Sequence, residues 1–424
     1  MPTTSQLIRS FRLTEVKSMR NPSDDVEAKL RERANTFPVS RDLASILASV
    51  DAIAREIVAV DADAVDRDAR WPERAIRALQ AAQLGGLVVP EVYGGRGQGL
   101  LALVQICEIL GKECASTAIC FGMHCVGASV IARNANKYQQ ERYLAPINAG
   151  RHITTLSFSE AGTGAHFYYP QCKLLPVGPD EFVLNGAKTL ATNGGYADSY
   201  VVSAATVDPQ FPAGGFSCVV VPADSGGFEV GPPWDGLGLR GNSSRTLTLR
   251  SVRVPRRNLL GNEGDQIWYL FNVVCPTFLS AMSGTYLGVT SAVLETACGY
   301  LKERRHSHSA TSLSQISIVQ HRLGQLWCVV ERTRRLIYFA ASSFDAGQAT
   351  ALTAVMAAKA EVADCVNAVV GEVMTLMGGI TYRSNSKLHR SLRDARAAHL
   401  MAPTTDMLRL WIGRTILGQP LLAE

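Results

Sequence analysis

The chain has 424 residues, of which 47% are hydrophobic and 19% are charged. This composition is sufficient for several packed layers and excludes wholesale disorder. The formal charge of +5, from 42 basic and 37 acidic residues, is too small to indicate a nucleic-acid-binding protein.

We find no run that approaches the roughly 20 apolar residues of a membrane span, and no signal peptide. The ten cysteines are scattered through apolar contexts without CxxC pairs, which predicts reduced, buried thiols rather than disulfides or a zinc site. Together these features predict a cytoplasmic protein without a membrane segment.

The first 40 residues show no sustained hydrophobic period and are predicted to form an extension, ordered by a partner subunit. From residue 41 to 152 the pattern is helical, and the apolar residues from Leu43 to Val58 recur at the spacing of one buried helix face. Trp71-Pro72 begins a further helix. Beyond the glycines of 84–99, helices are predicted over 101–111 and 116–134. These elements predict an N-terminal α-helical domain, residues 41–152.

Residues 153–265 change to strand composition and are predicted to form a middle β domain. Gly, Pro and Asn separate its apolar runs at short intervals, as antiparallel hairpins require, and Asn185-Gly186 is the strongest hairpin signal. The predicted strands include 182–184, 200–204, 218–221 and 245–250.

Helices return in residues 266–424, which are predicted to form a C-terminal helical domain. The first helix is expected over 267–305, with Pro276 at its start or at a break in it. An amphipathic helix follows over 318–344. The next, over 351–377, ends at Gly378-Gly379, which suits a C-cap.

The segment LSFSEAGTGAH (156–166) is the most distinctive run of small residues in the chain. Gly162 and Gly164 have no Cβ, so backbone N–H groups there could approach a flat ring or a phosphate closely. A tight turn alone would use the same residues.

The order of these elements, with several motifs, resembles the acyl-CoA dehydrogenase family of flavoproteins over residues 41–424. The resemblance implies an α+β multidomain fold, with an N-terminal helical domain, a central antiparallel β-barrel or sandwich domain and a C-terminal four-helix bundle. It also implies a homotetramer or homodimer. The motifs that carry it are VPEVYGGRG (89–97), YLAPINAG (143–150), FSEAGTGAH (158–166), LNGAKTLATNGGYAD (184–198), GLRGNSSRTLTLRSVRVPRRNLLG (238–261), YLKERR (300–305), Gln320, MGG (377–379) and LRDARAAHL (392–400).

The resemblance implies FAD as the cofactor, bound between the β domain and the C-terminal helices. Its ring would lie along the backbone of 156–165 and 190–192, and its ADP half would meet Arg304 and Gln320 of a neighbouring subunit. Two phosphates and a planar ring require N–H donors, a fixed cation and an apolar wall. The implied cofactor-binding residues are Leu156, Phe158, Ser159, Gly164, Ala165, Leu190, Thr192, Arg304, Gln320, Thr375, Gly378, Gly379 and Thr404.

The sequence departs from the family where the catalytic base is expected. In most members a glutamate follows the "RDA" motif, and counting from Arg393 places Ala402 at that position. In other members the glutamate is on the first C-terminal helix, where this chain has Phe278. Neither side chain can accept a proton. Leu190 also stands where the family usually has tryptophan.

Two residues are candidates for acid–base chemistry. His124, in the helix expected beneath the substrate, could donate or accept a proton, or be a core imidazole. Asp406 lies one helical turn after Ala402, so it could point along the same face, or it could compensate a helix N-terminus. His306 and His308 have a spacing that can bind metal, but no third ligand is evident and we predict no metal site.

Three functions follow from these features. The first is an FAD-dependent oxidoreductase that acts on an atypical acyl thioester, on CoA or a carrier protein, in specialised metabolism, with electron-transfer flavoprotein or oxygen as electron acceptor. The second is a flavin-dependent monooxygenase or oxidase, in which no thioester base is required. The third is a flavin-free scaffold or non-redox enzyme. A visible spectrum of the purified protein separates the third from the first two.

Overall fold

The computed structural model describes residues 41–206, 215–264, 266–384 and 386–422. The predicted N-terminal extension, residues 1–40, lies outside the described residues. From Ile46 onward the chain forms one unit, in which helices precede and follow a β-sheet. This order agrees with the helical, β and helical segments that the sequence predicts.

The helices before the sheet are mostly short, apart from two that are largely buried. Their bounds are α1 Arg41–Ile53, α2 Ala59–Arg67, α3 Glu73–Ala81, α4 Leu100–Glu113, α5 Ala115–Ala132, α6 Lys137–Gln139 and α7 Ala145–Asn148. In α5 nearly every residue is buried, because the helix is apolar on all sides. The helix ends against the first strand of the sheet, where Gly127 allows close contact with Thr154 and Thr155.

The sheet has eight strands. They are β1 Thr154–Ser157, β2 Lys173–Val177, β3 Glu181–Ala191, β4 Ser199–Thr206, β5 Phe216–Pro222, β6 Phe228–Val230, β7 Arg245–Pro255 and β8 Leu259–Leu260. Their order is β6-β7-β3-β2-β4-β5-β8, and β1 pairs with β4. Most pairs are antiparallel, as the sequence predicts, but β4 pairs in parallel with both β1 and β2.

The prediction of a hairpin turn at Asn185-Gly186 is wrong. Both residues lie within β3, at an irregularity in its pairing with β7. The Asn185 side-chain oxygen accepts a hydrogen bond from the Ser251 amide at 2.8 Å. Gly186 has φ +142°, and a Cβ there would collide with Cys172. The Asn-Gly pair therefore provides a bulge, which needs the same residue types as a turn.

The helices after the sheet are longer. They are α8 Gln266–Tyr269, α9 Cys275–Glu303, α10 Ser317–Asp345, α11 Ala351–Met377, α12 Lys387–Leu400 and α13 Thr405–Ile416. A π-helical turn, Leu270–Val274, joins α8 to α9, so Pro276 lies in the first turn of α9. Gly378 caps α11 with φ +76°, as its position after an alanine-rich helix predicts.

Three helical stretches are long and apolar enough to cross a membrane by length and hydropathy, namely Ala115–Ala132, Gln266–Glu303 and Ala351–Tyr382. The prediction that no stretch reaches this limit is therefore wrong. The first two are largely buried, at 94% and 78% of their apolar windows, and the third is one-third buried, at 33%. Helices at the centre of a large helical core are apolar all round, which gives the same composition as a membrane span.

Candidate active site

A cavity of about 640 Å³ lies between the strands β1 and β3, the first turn of α9 and the C-terminal end of α12. Its walls come from the loop that follows β1, the end of β3, the segment 234–239 and residues 393–404. Eight of the residues predicted to contact FAD line it: Leu156, Phe158, Ser159, Gly164, Ala165, Leu190, Thr192 and Thr404. The fold thus gathers residues that are almost 250 positions apart in sequence.

Polar groups in the wall of this cavity are suited to a polar ligand. The hydroxyl of Ser157 and the Nε of Arg393 are buried and have no hydrogen-bond partner within the described chain. Gly164 has φ +53°, with open space where a Cβ would point. Unpartnered buried donors and a bare backbone beside an apolar wall fit the ring of a flavin. The donor set therefore fits FAD.

A second cavity, of about 750 Å³, lies near the C-terminal end of α9. Arg304 and Gly379 line it, together with Tyr300, His306 and Arg383. Two guanidinium groups around one hollow suit a ligand that carries phosphates. The roles of Arg304 and Gly379 towards the ADP half of FAD stay predictions.

The other predicted contacts to the ADP half do not line either cavity. Gln320 donates its side-chain amide to the Ser314 carbonyl at 2.9 Å. The Thr375 hydroxyl donates within its own helix, to Gly371 at 3.0 Å. Gly378, next to Gly379, serves as the helix cap described above. The cofactor roles of these three residues stay predictions.

A buried ion pair fixes the loop that follows β1. Lys188 Nζ donates to Glu160 Oε1 at 2.6 Å, and their side chains are 0% and 3% exposed. The Glu160 carboxylate also accepts hydrogen bonds from the amides of Gln171 and Cys172. Burial raises the pKa of Glu160, but the Lys188 charge and these hydrogen bonds outweigh it and lower the pKa overall. Glu160 is therefore an ionised loop anchor and is not available as a base.

A second set of charges holds α12 against the rest of the cavity. Arg393 donates to both oxygens of Asp66 and to the Leu237 carbonyl. Its neighbour Asp394 accepts from the Leu239 amide at 2.7 Å, and burial raises the pKa of Asp394 to about 6. These contacts fix the segment 234–239 and leave Arg393 neutralised by Asp66.

Ala402 and Phe278, at the two positions where a family glutamate is expected, both line the main cavity. Val274, Cys275 and Met401 lie along the same wall, and burial raises the pKa of the Cys275 thiol. Among the described residues that line the cavity, Glu160 is the one carboxylate. No free proton acceptor of carboxylate type therefore lies in that lining.

His124 lies on α5, where its side chain is buried in the core and does not line the main cavity. Its Nε2 is 2.9 Å from the Gly85 carbonyl, and its Nδ1 accepts from the Thr154 amide at 3.1 Å. Burial lowers its pKa, so the ring is neutral, with one nitrogen donating and the other accepting. Both nitrogens are bound to the backbone, which favours the core-imidazole interpretation, and an acid–base role of His124 stays a prediction.

Asp406 is exposed, in the first turn of α13, and does not line the cavity. The helix is capped by Thr404, whose hydroxyl accepts from the Met407 amide at 3.3 Å. A carboxylate in this first turn compensates the positive end of the helix. The geometry therefore supports the structural interpretation of Asp406, and not the catalytic one.

The sequence analysis missed two buried lysines. Lys188 is buried on β3, as Phe182 and Leu184 are. The apolar neighbours Val183 and Ala187 interrupt any polar alternation, so the sequence carried no clear signal of this burial. Lys359 is flanked at helical spacing by Val355 and Val362, which does mark an inward position. In neither case could the sequence show which partner a buried ammonium would have.

Comparison with known protein families gives three matches in chain order. They are the acyl-CoA dehydrogenase N-terminal domain at residues 40–151, the middle domain at 155–252 and the C-terminal domain at 280–417. The probable acyl-CoA dehydrogenase YngJ of Bacillus subtilis is 26% identical over 382 residues, which is 90% of this chain and 99% of that protein.

Solved structures agree with these matches. A chain from the structure of the electron transferring flavoprotein of Acidaminococcus fermentans has a TM-score of 0.84 and 26% identity, and the match covers 90% of this chain and 99% of that one. Butyryl-CoA dehydrogenase from Megasphaera elsdenii also has a TM-score of 0.84, at 23% identity, over 90% of this chain and 99% of that one. Because the identity is 23%, the similarity to butyryl-CoA dehydrogenase shows a shared fold alone.

Proposed function

The chain belongs to the acyl-CoA dehydrogenase family and is an FAD-dependent oxidoreductase, and from this premise we propose that it oxidises an atypical acyl thioester. The acyl group would be carried on CoA or a carrier protein, in specialised metabolism. One observation carries the proposal: Ala402 and Phe278 line the cavity, and the carboxylate of Glu160 is bound to Lys188. The flavin-free possibility is not retained, since FAD is the cofactor of this family.

The residues around the main cavity would hold the flavin ring, and Arg304 in the second cavity of a neighbouring subunit would contact the ADP half. Bound FAD supplies a hydride acceptor. In the proposed reaction a C=C bond forms between the α- and β-carbons of the acyl group, as the β-hydrogen leaves as hydride and the α-hydrogen as a proton. Since the described lining offers no free carboxylate, water within the cavity would serve as the non-standard base that takes the α-proton. A positioned base normally accelerates proton removal by about 10²- to 10⁴-fold. Without one, the substrate must compensate by carrying a more acidic α-hydrogen than an ordinary acyl thioester.

The proposal is tested by anaerobic mixing of the FAD-loaded protein with two acyl-CoA probes. Butyryl-CoA has an ordinary α-hydrogen, whereas the phenyl ring of 2-phenylbutanoyl-CoA acidifies it. We expect loss of the oxidised-flavin absorbance to be at least about 10-fold faster with the second probe. Equal rates would show that the acidity of the α-hydrogen does not limit the reaction and would contradict the proposal, and no reduction by either probe would count against a thioester substrate.

A monooxygenase or oxidase is the second candidate, because such a reaction needs no carboxylate to deprotonate a thioester. The apolar wall formed by Val274, Phe278 and Met401 supports it. Chemically reduced, FAD-loaded protein should then consume dioxygen rapidly. Slow oxygen consumption, with rapid electron transfer to an electron-transfer flavoprotein, would favour the dehydrogenase instead.

The second cavity gives a separate prediction about cofactor retention. Arg304→Ala should raise the dissociation constant for FAD about 10- to 100-fold, the equivalent of one or two charge-assisted hydrogen bonds. Arg305→Ala is the matched control, because Arg305 is exposed and does not line the cavity. Equilibrium titration of apoprotein with FAD measures both. Equal affinities in the two variants would remove Arg304 from the FAD site.

A further inference from the structure

Lys359, on the inner face of α11, is a buried lysine that the proposed reaction does not use. Its side chain is fully buried, at 0% exposure. Its Nζ donates to the Pro403 carbonyl at 2.9 Å and to the Met401 carbonyl at 3.2 Å. These two carbonyls flank Ala402, so one ammonium group holds both sides of the residue that lines the cavity.

No carboxylate lies within ion-pair distance of Lys359 in the described part of the chain. Two acidic residues lie close to it along the same helix: Glu361 is paired with Arg332 at 3.2 Å, and Asp364 is paired with Arg409 and lies 4.0 Å from His399 Nε2. A buried ammonium that is balanced by carbonyl oxygens alone is costly, because desolvation favours its neutral form. Hydrophobic side chains would fill this part of the helix at lower cost, so the two carbonyl bonds are the reason for a lysine here.

The segment between α12 and α13 has few other anchors. The Met401 amide bonds to Ala397 at the end of α12. On the other side, Thr405 contacts His399 at 3.0 Å, and Thr404 caps α13. Between these points, the segment is joined to α11 by the hydrogen bond from the Lys359 ammonium to the Pro403 carbonyl.

We propose that Lys359 is a positioning residue that fixes the wall of the active cavity at Ala402 through the carbonyls of Met401 and Pro403. This inference concerns the protein's own segment and does not depend on the proposed substrate. Because the anchoring group is a titratable amine, the position of this wall segment also depends on pH. Burial lowers the pKa of Lys359 to about 7, so its charge is present below neutral pH and is lost above it.

Neighbouring groups carry charges that any pH measurement must distinguish from Lys359. On α12 these are Arg396 and His399, on α13 Arg409, on α11 Asp364, and from α9 the Tyr286 hydroxyl contacts Met401. The closest in titration range is His399, whose pKa is lowered, first by burial. Lys359→Met retains His399, so a pH-dependent change that persists in this variant is assigned to His399 and not to Lys359.

Hydrogen exchange of the FAD-loaded protein, followed by mass spectrometry of the peptide that contains residues 401–408, tests the proposal. Lys359→Met keeps the length of the side chain and removes the donors. We expect exchange of these amides to be at least about 10-fold faster than in wild type, because two hydrogen bonds from a charged donor are lost. Lys302→Met, at an exposed lysine of α9, should leave the segment unchanged.

The pH dependence separates positioning from a general packing defect. After correction for intrinsic exchange rates, protection of residues 401–408 in wild type should fall about 5- to 30-fold from pH 6 to pH 8, since a neutral amine donates weaker hydrogen bonds. The step should be absent in Lys359→Met, with low protection at both pH values. It should also be absent in Lys359→Arg, with high protection at both pH values, because a guanidinium stays charged across this range. Unchanged exchange in Lys359→Met, or persistence of the step in that variant, would overturn the proposal.

Discussion

Ala402→Glu is expected to accelerate oxidation of butyryl-CoA by the FAD-loaded protein at least about 100-fold, which is the lower end of what a positioned general base contributes. Ala402 lines the cavity beside Met401 and Phe278. A carboxylate placed in this apolar wall would have a raised pKa, because burial disfavours its charged form. A base with a pKa near neutrality is suited to removing an α-proton.

Anaerobic stopped-flow measurement of flavin absorbance gives the rate directly. Asp406→Asn is the matched control, since this exposed carboxylate lies four residues further along the chain and outside the cavity, and its loss should leave the rate of the Ala402→Glu variant unchanged. A folded Ala402→Glu variant with bound FAD and no acceleration would show that position 402 does not face the acyl α-carbon. The proposed explanation for the atypical chemistry would then fail.

Lys188→Met is expected to lower the free energy of unfolding by about 3 to 5 kcal/mol, because it leaves the buried carboxylate of Glu160 without its cation. The pair lies in the cavity wall, and Glu160 also orders the backbone at Gln171 and Cys172. The affinity of Lys188→Met for FAD should therefore fall together with its free energy of unfolding. Chemical denaturation followed by fluorescence, together with an FAD titration, measures the two effects.

The pH dependence of this variant has a defined sign. In wild type the lowered pKa of Glu160 means that the pair stabilises the protein above the unfolded-state pKa and loses this contribution as pH falls through the folded-state pKa. In Lys188→Met the carboxylate has lost its cation, so its pKa rises. The destabilisation should then be largest near neutral pH and should decrease in acid, as the carboxyl group becomes protonated.

Two further variants identify the cause. Lys188→Met combined with Glu160→Gln should be less destabilised than Lys188→Met alone, because no charge remains buried. Arg253→Met breaks an exposed pair with Glu181, whose side chains are 67% and 40% exposed, and should cost no more than about 1 kcal/mol. A Lys188→Met variant as stable as Arg253→Met would contradict the assigned role of the buried pair.

The sequence by itself determined the architecture and part of the cavity. The alanine-rich composition and the Gly378-Gly379 stop predicted α11 to the residue, at 351–377, and the amphipathic pattern predicted α10 to within one residue of each end. The motifs at 156–165 and 190–192 predicted residues that the structure brings into one cavity wall. Ala402 and Phe278 were predicted as the altered positions, and both line that cavity. The helix bounds could be predicted because they depend on local patterns. The cavity residues and the two altered positions were implied by the resemblance of the motifs to the family.

The tertiary structure decided which polar side chains are free to act. His124 has the residue type of an acid–base group, but its partners, Gly85 and Thr154, come from distant parts of the chain. In the same way, the Glu160 carboxylate is bound by the ammonium of Lys188 on β3. Lys359 donates to the carbonyls of Met401 and Pro403, which are 42 and 44 residues further along the chain. The free energy of a buried polar group depends on its hydrogen-bond partners, and those partners exist only after the chain has folded.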